Sequence, residues 1–255
     1  ALSPDGKYIL NVVDENGEQS LWLRNVPTNS DTQVIPPATV HYGGLKFSPD
    51  GNYLYFVRSE SGNGAVQFLY RAPVLGGTRE KLVSDIDPNI AFSPDGRQFA
   101  YIVYNNPDPD QFRLVIHSVA GNAEKVLVHD SMAHSLYDPA WSPDGKTIVC
   151  YGVQRGNAIT SLVAVDAATG SQHVFFDAPN GLLSRPVWLP DGHGLLVLNR
   201  DQMSNFSNRQ IVFVSYPEGK SAPVTRDTNN YSDLSLSADG HTLATTLSES
   251  HWNLF

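Results

Sequence analysis

Six copies of one four-residue turn signal recur along the chain, and their spacing constrains the fold more than any other feature of the sequence. The aspartates of successive copies lie 45, 45, 49, 47 and 48 residues apart. A self-similar period of about 40–50 residues indicates a solenoid, a propeller or a repeat array. The copies are Ser3-Pro4-Asp5-Gly6, Ser48-Pro49-Asp50-Gly51, Ser93-Pro94-Asp95-Gly96, Ser142-Pro143-Asp144-Gly145, Leu189-Pro190-Asp191-Gly192 and Ser237-Ala238-Asp239-Gly240.

The second repeat shows how one unit folds. Apolar strands are predicted at residues 45–47, 53–57 and 67–71, and a polar outer strand at 80–83. The Ser-Pro-Asp-Gly turn joins the first two, because proline presets φ, aspartate suits the third turn position and glycine accepts a left-handed conformation. Four antiparallel strands per repeat, with turns every 8–12 residues, are typical of a β-propeller blade.

The whole chain is therefore predicted to be one all-β domain, residues 1–255, forming a β-propeller of about six four-stranded blades. The repeats begin near residues 3, 45, 90, 139, 186 and 234. About 22 strands are expected: three in the first blade, four in each middle blade and three in the last, ending at residues 252–255. Because the first innermost strand is expected to be absent, the chain is interpreted as a piece of a longer protein. It is either six blades of a larger ring or a ring trimmed at its seam.

Composition excludes two classes of partner. The formal net charge is −9, and lysine and arginine never form a basic stripe. Neutralising phosphates supplies most nucleic-acid affinity, so nucleic acid is not an expected partner. The apolar stretches are only as long as strands, so this segment is not expected to insert into a membrane.

The sequence contains none of the common catalytic, phosphate-binding or metal-binding motifs. It lacks the Gly-x-Ser-x-Gly elbow, a phosphate-cradling glycine loop, the kinase motifs, His-Glu-x-x-His and Cys-x-x-Cys. Turn chemistry accounts for the six turn aspartates without a catalytic or metal role. We predict no catalytic residue, no cofactor and no metal site, and expect the segment not to be an enzyme.

A binding site is instead expected on the face opposite the turns, where loops entering the innermost strands converge on the central channel. The residues three positions before the inner-strand aromatic are Gly44, Asn89, Asp138, Arg185 and Asp233. Polar and aromatic groups around a funnel can orient a ligand. The alternative is that they hydrate the channel or pair with one another, with Arg185 bridging Asp138 or Asp233. The predicted ligand- or partner-binding residues are Asn89, Asp138, Arg185, Asp233, Tyr42, His134, Tyr137 and Tyr231.

The repeat unit, Phe-Ser-Pro-Asp-Gly followed by a third strand and Gly-Gly, resembles the WD40-like Pro-Asp repeat of TolB-type propellers over essentially the whole chain. Residues 19–24, 69–78 and 188–196 further resemble the C-terminal propeller of bacterial eukaryotic-like Ser/Thr protein kinases. In such receptors a kinase domain and a membrane span precede an extracytoplasmic sensor. The resemblance implies an architecture and a role but transfers no catalytic residue. Ala238 departs from the pattern, since proline is expected there.

These features favour a non-catalytic sensor domain of a membrane-anchored Ser/Thr protein kinase, located in the periplasm, that binds a protein, peptide or small molecule. A cytoplasmic location stays open. Two other functions also stay open: a propeller that gates a prolyl-oligopeptidase-type serine peptidase, and a TolB-like envelope scaffold whose channel receives a peptide. Fold alone does not choose among them.

Overall fold

The fold is an all-β propeller of small antiparallel sheets. The structure is a computed structural model that describes residues 1–60, 66–156, 160–178, 181–201 and 208–248. This described part contains strands and turns but no helix. Its 21 strands form six sheets in which each strand pairs with the next one along the chain.

We number the sheets as blades 1 to 6 in chain order. Blade 1 contains β1 (Tyr8–Glu15), β2 (Glu18–Asn25) and β3 (Ser30–Ala38). Blade 2 contains β4 (Val40–Phe47), β5 (Tyr53–Glu60), β6 (Gln67–Pro73) and β7 (Glu80–Ser84). Blade 3 contains β8 (Ala91–Phe92), β9 (Gln98–Tyr104), β10 (Gln111–Ser118) and β11 (Glu124–Ser131). Blade 4 contains β12 (His134–Trp141), β13 (Thr147–Gln154), β14 (Thr160–Asp166) and β15 (Gln172–Ala178). Blade 5 contains β16 (Gly181–Trp188), β17 (Gly194–Asp201), β18 (Arg209–Ser215) and β19 (Ser221–Pro223). Blade 6 contains β20 (Tyr231–Leu236) and β21 (Leu243–Leu247).

The predicted all-β propeller is confirmed, and so are all four strands predicted in the second repeat. Aromatic and aliphatic side chains of the middle strands fill the core: Phe56, Phe99 and Leu114 are fully buried there. The strand predicted at residues 252–255 lies outside the described residues.

Five of the six turns are held by a serine and an aspartate, and in the fifth, where Leu189 replaces serine, Asp191 accepts the His193 N–H at 3.0 Å. In blade 4 the Ser142 hydroxyl donates to Asp144 Oδ1 at 2.6 Å and accepts the Thr147 N–H at 3.0 Å. The Asp144 carboxylate also accepts the Lys146 N–H, and these hydrogen bonds, the serine's first, lower the pKa of Asp144. The same serine–aspartate contact recurs in the first, second, third and sixth turns. Turn chemistry thus accounts for these carboxylates.

The first and last sheets lie next to each other, so the six sheets surround one channel. The Leu2 N–H donates to Ser235 Oγ at 2.8 Å, and the Ala238 N–H donates to the Pro4 carbonyl at 2.8 Å. Leu2 also forms a β-bridge with Ile9. The three strands expected in blade 1 are confirmed, since Leu2 adds only this isolated bridge beside β1 and no further strand.

Ala238, the residue that departs from the turn pattern, lies where blades 6 and 1 meet, a junction called the seam below. In neighbouring turns a proline packs beside the next turn's glycine, as Pro4 does at Gly51 and Pro49 at Gly96. At the seam the residue in the proline position supplies an N–H to the Pro4 carbonyl instead. Proline has no N–H and could not make this bond.

We expect Ala238→Pro to destabilise the ring by about 1–2 kcal/mol, because it removes the seam hydrogen bond and puts a ring carbon against the Pro4 carbonyl. Urea unfolding measures the change. The reciprocal control, Pro143→Ala in the fourth turn, is expected to cost less than about 1 kcal/mol. An Ala238→Pro variant as stable as the parent would contradict the role given to this N–H.

Candidate ligand-binding cavity

One cavity of about 430 Å³ occupies the centre of the ring, and residues of all six blades line it. The five residues aligned by their position before the inner-strand aromatic all meet there. Its volume is in the range of small-molecule sites. These five are Gly44, Asn89, Asp138, Arg185 and Asp233.

Backbone bulges aim these residues into the channel. The pairing register shifts in the innermost strands of blades 2, 4, 5 and 6 where these residues lie. Gly44, Asp138 and Arg185 have φ values of 57°, 47° and 54°. The left-handed region is uncommon for residues other than glycine, and such conformations concentrate at functional sites. The channel lining is thus built from bulges rather than regular strand positions.

Asp138 is the centre of the polar network. Its carboxylate accepts hydrogen bonds from the Asn89 side-chain amide and, at 3.1 Å, from the Arg185 backbone N–H. Its side chain is only 16% exposed. One carboxylate therefore joins the innermost strands of blades 4 and 5 and the segment before β8 in blade 3.

Arg185 lies between two carboxylates. Its Nη1 is 3.7 Å from Asp138 Oδ1, and its Nε is 3.7 Å from Asp233 Oδ1. The alternative in which Arg185 bridges these aspartates is therefore what the structure contains, with both contacts made at once. Asp233 keeps 53% of its side chain exposed, so part of this network faces the open cavity.

Lys46, which the sequence analysis missed, also lines the cavity. It directly precedes Phe47, where the other repeats carry Ala91, Ala140, Val187 and Ser235. A lone charge at a position otherwise occupied by small side chains is the signal that could have identified it. Burial lowers the pKa of Lys46, Asp233 and Asp138 oppose that shift, and Arg185 adds to it.

The remaining predicted residues do not join the network. Tyr42 lines the cavity but is buried against Phe56, with ring centroids 5.6 Å apart. Tyr231 is a core residue whose hydroxyl donates to Asp227 at 2.7 Å. Tyr231 therefore has a structural role rather than a place in the channel wall.

Tyr137 and His134 also lie outside the cavity wall. Tyr137 lies between Tyr104 and Tyr151, with ring centroids 5.1 Å from each; its ring is stacked on Tyr151 and tilted against Tyr104. His134 is exposed and lines a second cavity, of about 240 Å³, formed by residues of blade 4. The position of His134 at the very start of β12 puts it too far from the bulge to reach the channel centre.

Asp87 is a half-buried carboxylate near Tyr104, one of the three tyrosines in contact around Tyr137. Burial, followed by the charges of Asp85 and Asp138, raises the pKa of Asp87 from 3.8 to about 7. A carboxyl group whose pKa is higher in the folded state destabilises that state when it is ionised. The penalty is complete above pH 7, declines as the pH falls from 7, and is gone near pH 4.

We expect Asp87→Asn to raise the free energy of unfolding at pH 8, and the gain to shrink steadily between pH 7 and pH 4. Urea unfolding of both proteins at pH 8, 6 and 4 measures this dependence. The exposed Asp14→Asn on β1 is the control and is expected to show no comparable gain at pH 8. A gain for Asp87→Asn that is the same at all three pH values would contradict the burial of an ionisable carboxyl group.

Within the described residues, no group of three or more histidine, cysteine, aspartate or glutamate side chains is arranged to hold a metal ion. Nor does any helix among them have the length and hydropathy needed to cross a membrane.

The chain belongs to the TolB β-propeller family, whose model, described as PD40, TolB beta propeller domain, matches residues 1–188. Among curated proteins it is 30% identical over 119 residues to the uncharacterized peptidase YuxL of Bacillus subtilis (strain 168), an alignment that spans 46% of this chain and 17% of YuxL. The fold is similar to TolB from Acinetobacter baumannii, with a TM-score of 0.73 and 16% identity over 97% of this chain and 65% of that one. A prolyl endopeptidase structure matches with a TM-score of 0.59 and 15% identity, over 94% of this chain and 40% of that one.

The predicted TolB-type resemblance is thus confirmed at the level of the family. The narrower resemblance to kinase-associated propellers stays a prediction. Because the chain spans only about a sixth of YuxL, the activity of any whole protein that contains this propeller is a matter for proposal.

Proposed function

We propose that this propeller is a non-catalytic binding domain that receives a ligand or protein partner in its central cavity. The observation that carries the proposal is the convergence of Asn89, Asp138, Arg185 and Asp233, from four different blades, on one open cavity. Asp138 and Arg185 also have left-handed backbone conformations, which are uncommon for such residues and concentrate at functional sites. A polar, preorganised cavity is suited to orienting a ligand.

The most specific form of the proposal is a sensor attached to a bacterial Ser/Thr protein kinase and located outside the cytoplasm. The sequence resemblance in residues 19–24, 69–78 and 188–196 supports it. In this arrangement occupation of the cavity changes the output of the attached kinase domain, and the propeller itself contributes no catalytic group.

A second candidate is a propeller that controls substrate access to a serine peptidase. The similarity to YuxL, named as a peptidase, and to a prolyl endopeptidase structure favours it. The channel would then be a route for substrate. A TolB-like scaffold that accepts a partner's peptide uses the same cavity.

Reading the complete reading frame around these residues distinguishes the candidates. A kinase domain followed by a span of about 20 apolar residues supports the sensor, and a Gly-x-Ser-x-Gly hydrolase domain supports the peptidase.

The activity of the complete protein then tests the role of the cavity. We expect Asp233→Asn, which removes an exposed cavity charge, to change ligand-dependent kinase output or substrate selectivity. The turn-face control Lys146→Gln should leave it unchanged. Equal behaviour of the two variants would contradict a role for the cavity in either function.

A further inference from the structure

The charged side chains of the cavity divide into three that contact one another and one, that of Lys46, that does not. Arg185 lies 3.7 Å from a carboxylate oxygen of each aspartate, Asp138 and Asp233. Asp138 also accepts hydrogen bonds from Asn89 and the Arg185 backbone. Across the described ranges, no hydrogen bond or ion pair joins the Lys46 ammonium to any of these groups.

The surroundings of Lys46 favour an added negative charge. Lys46 lies on the innermost strand β4, where burial lowers its pKa because water no longer fully solvates the ammonium. Lys46 and Arg185 line the same cavity, and repulsion from the Arg185 charge also lowers the pKa of Lys46, against the stronger opposing effect of Asp233 and that of Asp138. An anion bound beside both cations would relieve this repulsion and restore the lost solvation.

The charge of the suitable anion is limited by the aspartates. Asp138 and Asp233 are close enough to Lys46 to affect its pKa. A dianion such as a phosphate ester would be repelled by both. A carboxylate carries a single negative charge and two acceptor oxygens, which suits one ammonium with a guanidinium nearby.

We propose that Lys46, with Arg185 beside it, binds a carboxylate group of the ligand inside the central cavity. This inference rests on the proposed function, since it names the chemistry of the ligand that the cavity receives. The carboxylate belongs either to a small organic acid or to an acidic peptide. Lys46 provides the main charge contact, and the aspartates hold Arg185 in position.

NMR titration of the full chain with the monocarboxylate butyrate, and with its neutral analogue butyramide, tests the proposal. We expect butyrate to give saturable shifts at Lys46 and its cavity neighbours and to raise the pKa of the Lys46 ammonium. Butyramide should bind at least 10-fold more weakly. Lys46→Met should weaken butyrate binding at least 10-fold and Lys46→Arg by less than about 3-fold, whereas the outer-strand control Lys81→Met should have no effect. A tripeptide with C-terminal glutamate, compared with butyrate, distinguishes the peptide source from the small acid.

Three results would overturn the inference: butyrate and butyramide binding equally, the cation putrescine binding in place of butyrate, or butyrate affinity unchanged in Lys46→Met. If Lys46→Met does not fold, the pKa of Lys46 in the parent protein, with and without butyrate, decides the question, and an unchanged pKa counts against the inference. If a Lys46→Met protein still captures a native partner at the cavity, the proposed binding function is supported and only the carboxylate-binding role of Lys46 is rejected.

Discussion

Gly44→Ala is expected to cost about 4 kcal/mol or more of folding free energy, the largest effect of any single substitution considered. A Cβ at this position would lie 1.4 Å from the backbone oxygen of Pro88, and the glycine has a φ of +57°. Backbone atoms of blades 2 and 3 would have to move apart to admit a methyl group. Urea unfolding measures the loss, and a failure to accumulate folded protein is the extreme form of the same result.

The adjacent Gly43 gives a matched control. A Cβ at Gly43 would meet nothing closer than Pro88 Cβ at 3.7 Å, an ordinary contact. We expect Gly43→Ala to change stability by less than about 1 kcal/mol. If both substitutions had similar small effects, the close approach of the two blades at this bulge would be wrong.

Asp138→Ala is expected to cost about 3 kcal/mol and to abolish ligand binding in the cavity. The substitution leaves the Asn89 amide without its acceptor and removes one of the two carboxylates that position Arg185. Arg185 keeps Asp233 as its second partner, so the main cost is that two part-buried donors, the Asn89 amide and the Arg185 backbone N–H, lose their acceptor. Thermal and urea unfolding measure the stability.

Asp138→Asn is the control for size and backbone conformation, since asparagine tolerates a left-handed φ and keeps one acceptor oxygen. It is expected to lose less than half as much stability. A double-mutant cycle with Asn89→Ala should give a coupling energy of about 1 kcal/mol or more. Additive effects would show that Asp138 and Asn89 act independently, contrary to the network described.

The fold could be predicted from the sequence because its information is local and repeated. Each Ser-Pro-Asp-Gly turn fixes its own hairpin through hydrogen bonds within five residues, as those of Ser142 illustrate. The repeat also supplied an internal alignment, which correctly grouped the bulge residues, including Asp138 and Arg185, at the channel.

The parts of the site that could not be predicted depend on contacts between blades. The dual pairing of Arg185 depends on the relative positions of blades 4, 5 and 6, which no local pattern specifies. Tyr231 and His134 were assigned by nearness in sequence to the bulge. Residues two or four positions apart share a face of a regular strand, but the pairing register shifts between Tyr231 and Asp233 and again at Asp138. Tyr231 lies in the core and His134 lines a different cavity.

Lys46 was missed because its position in the repeat is typical of a structural residue. Its strand position is occupied by small side chains in the other repeats, so the pattern indicated scaffold there. The charge stood out only when that position was seen to face the cavity. In repeat proteins, one charged residue in a position otherwise filled by small residues is thus a useful indicator of a binding site.

Photo-crosslinking in cells that produce the complete protein tests most directly whether this propeller binds through its cavity face. A benzoylphenylalanine probe replaces the exposed His41, at the cavity end of β4, or the exposed Lys146, in the fourth turn on the opposite face. We predict a specific crosslinked partner or ligand from position 41 that is lost when Asp233→Asn is added, and none from position 146. Crosslinks from position 146 alone, or crosslinks from position 41 that are unaffected by Asp233→Asn, would contradict binding in the central cavity.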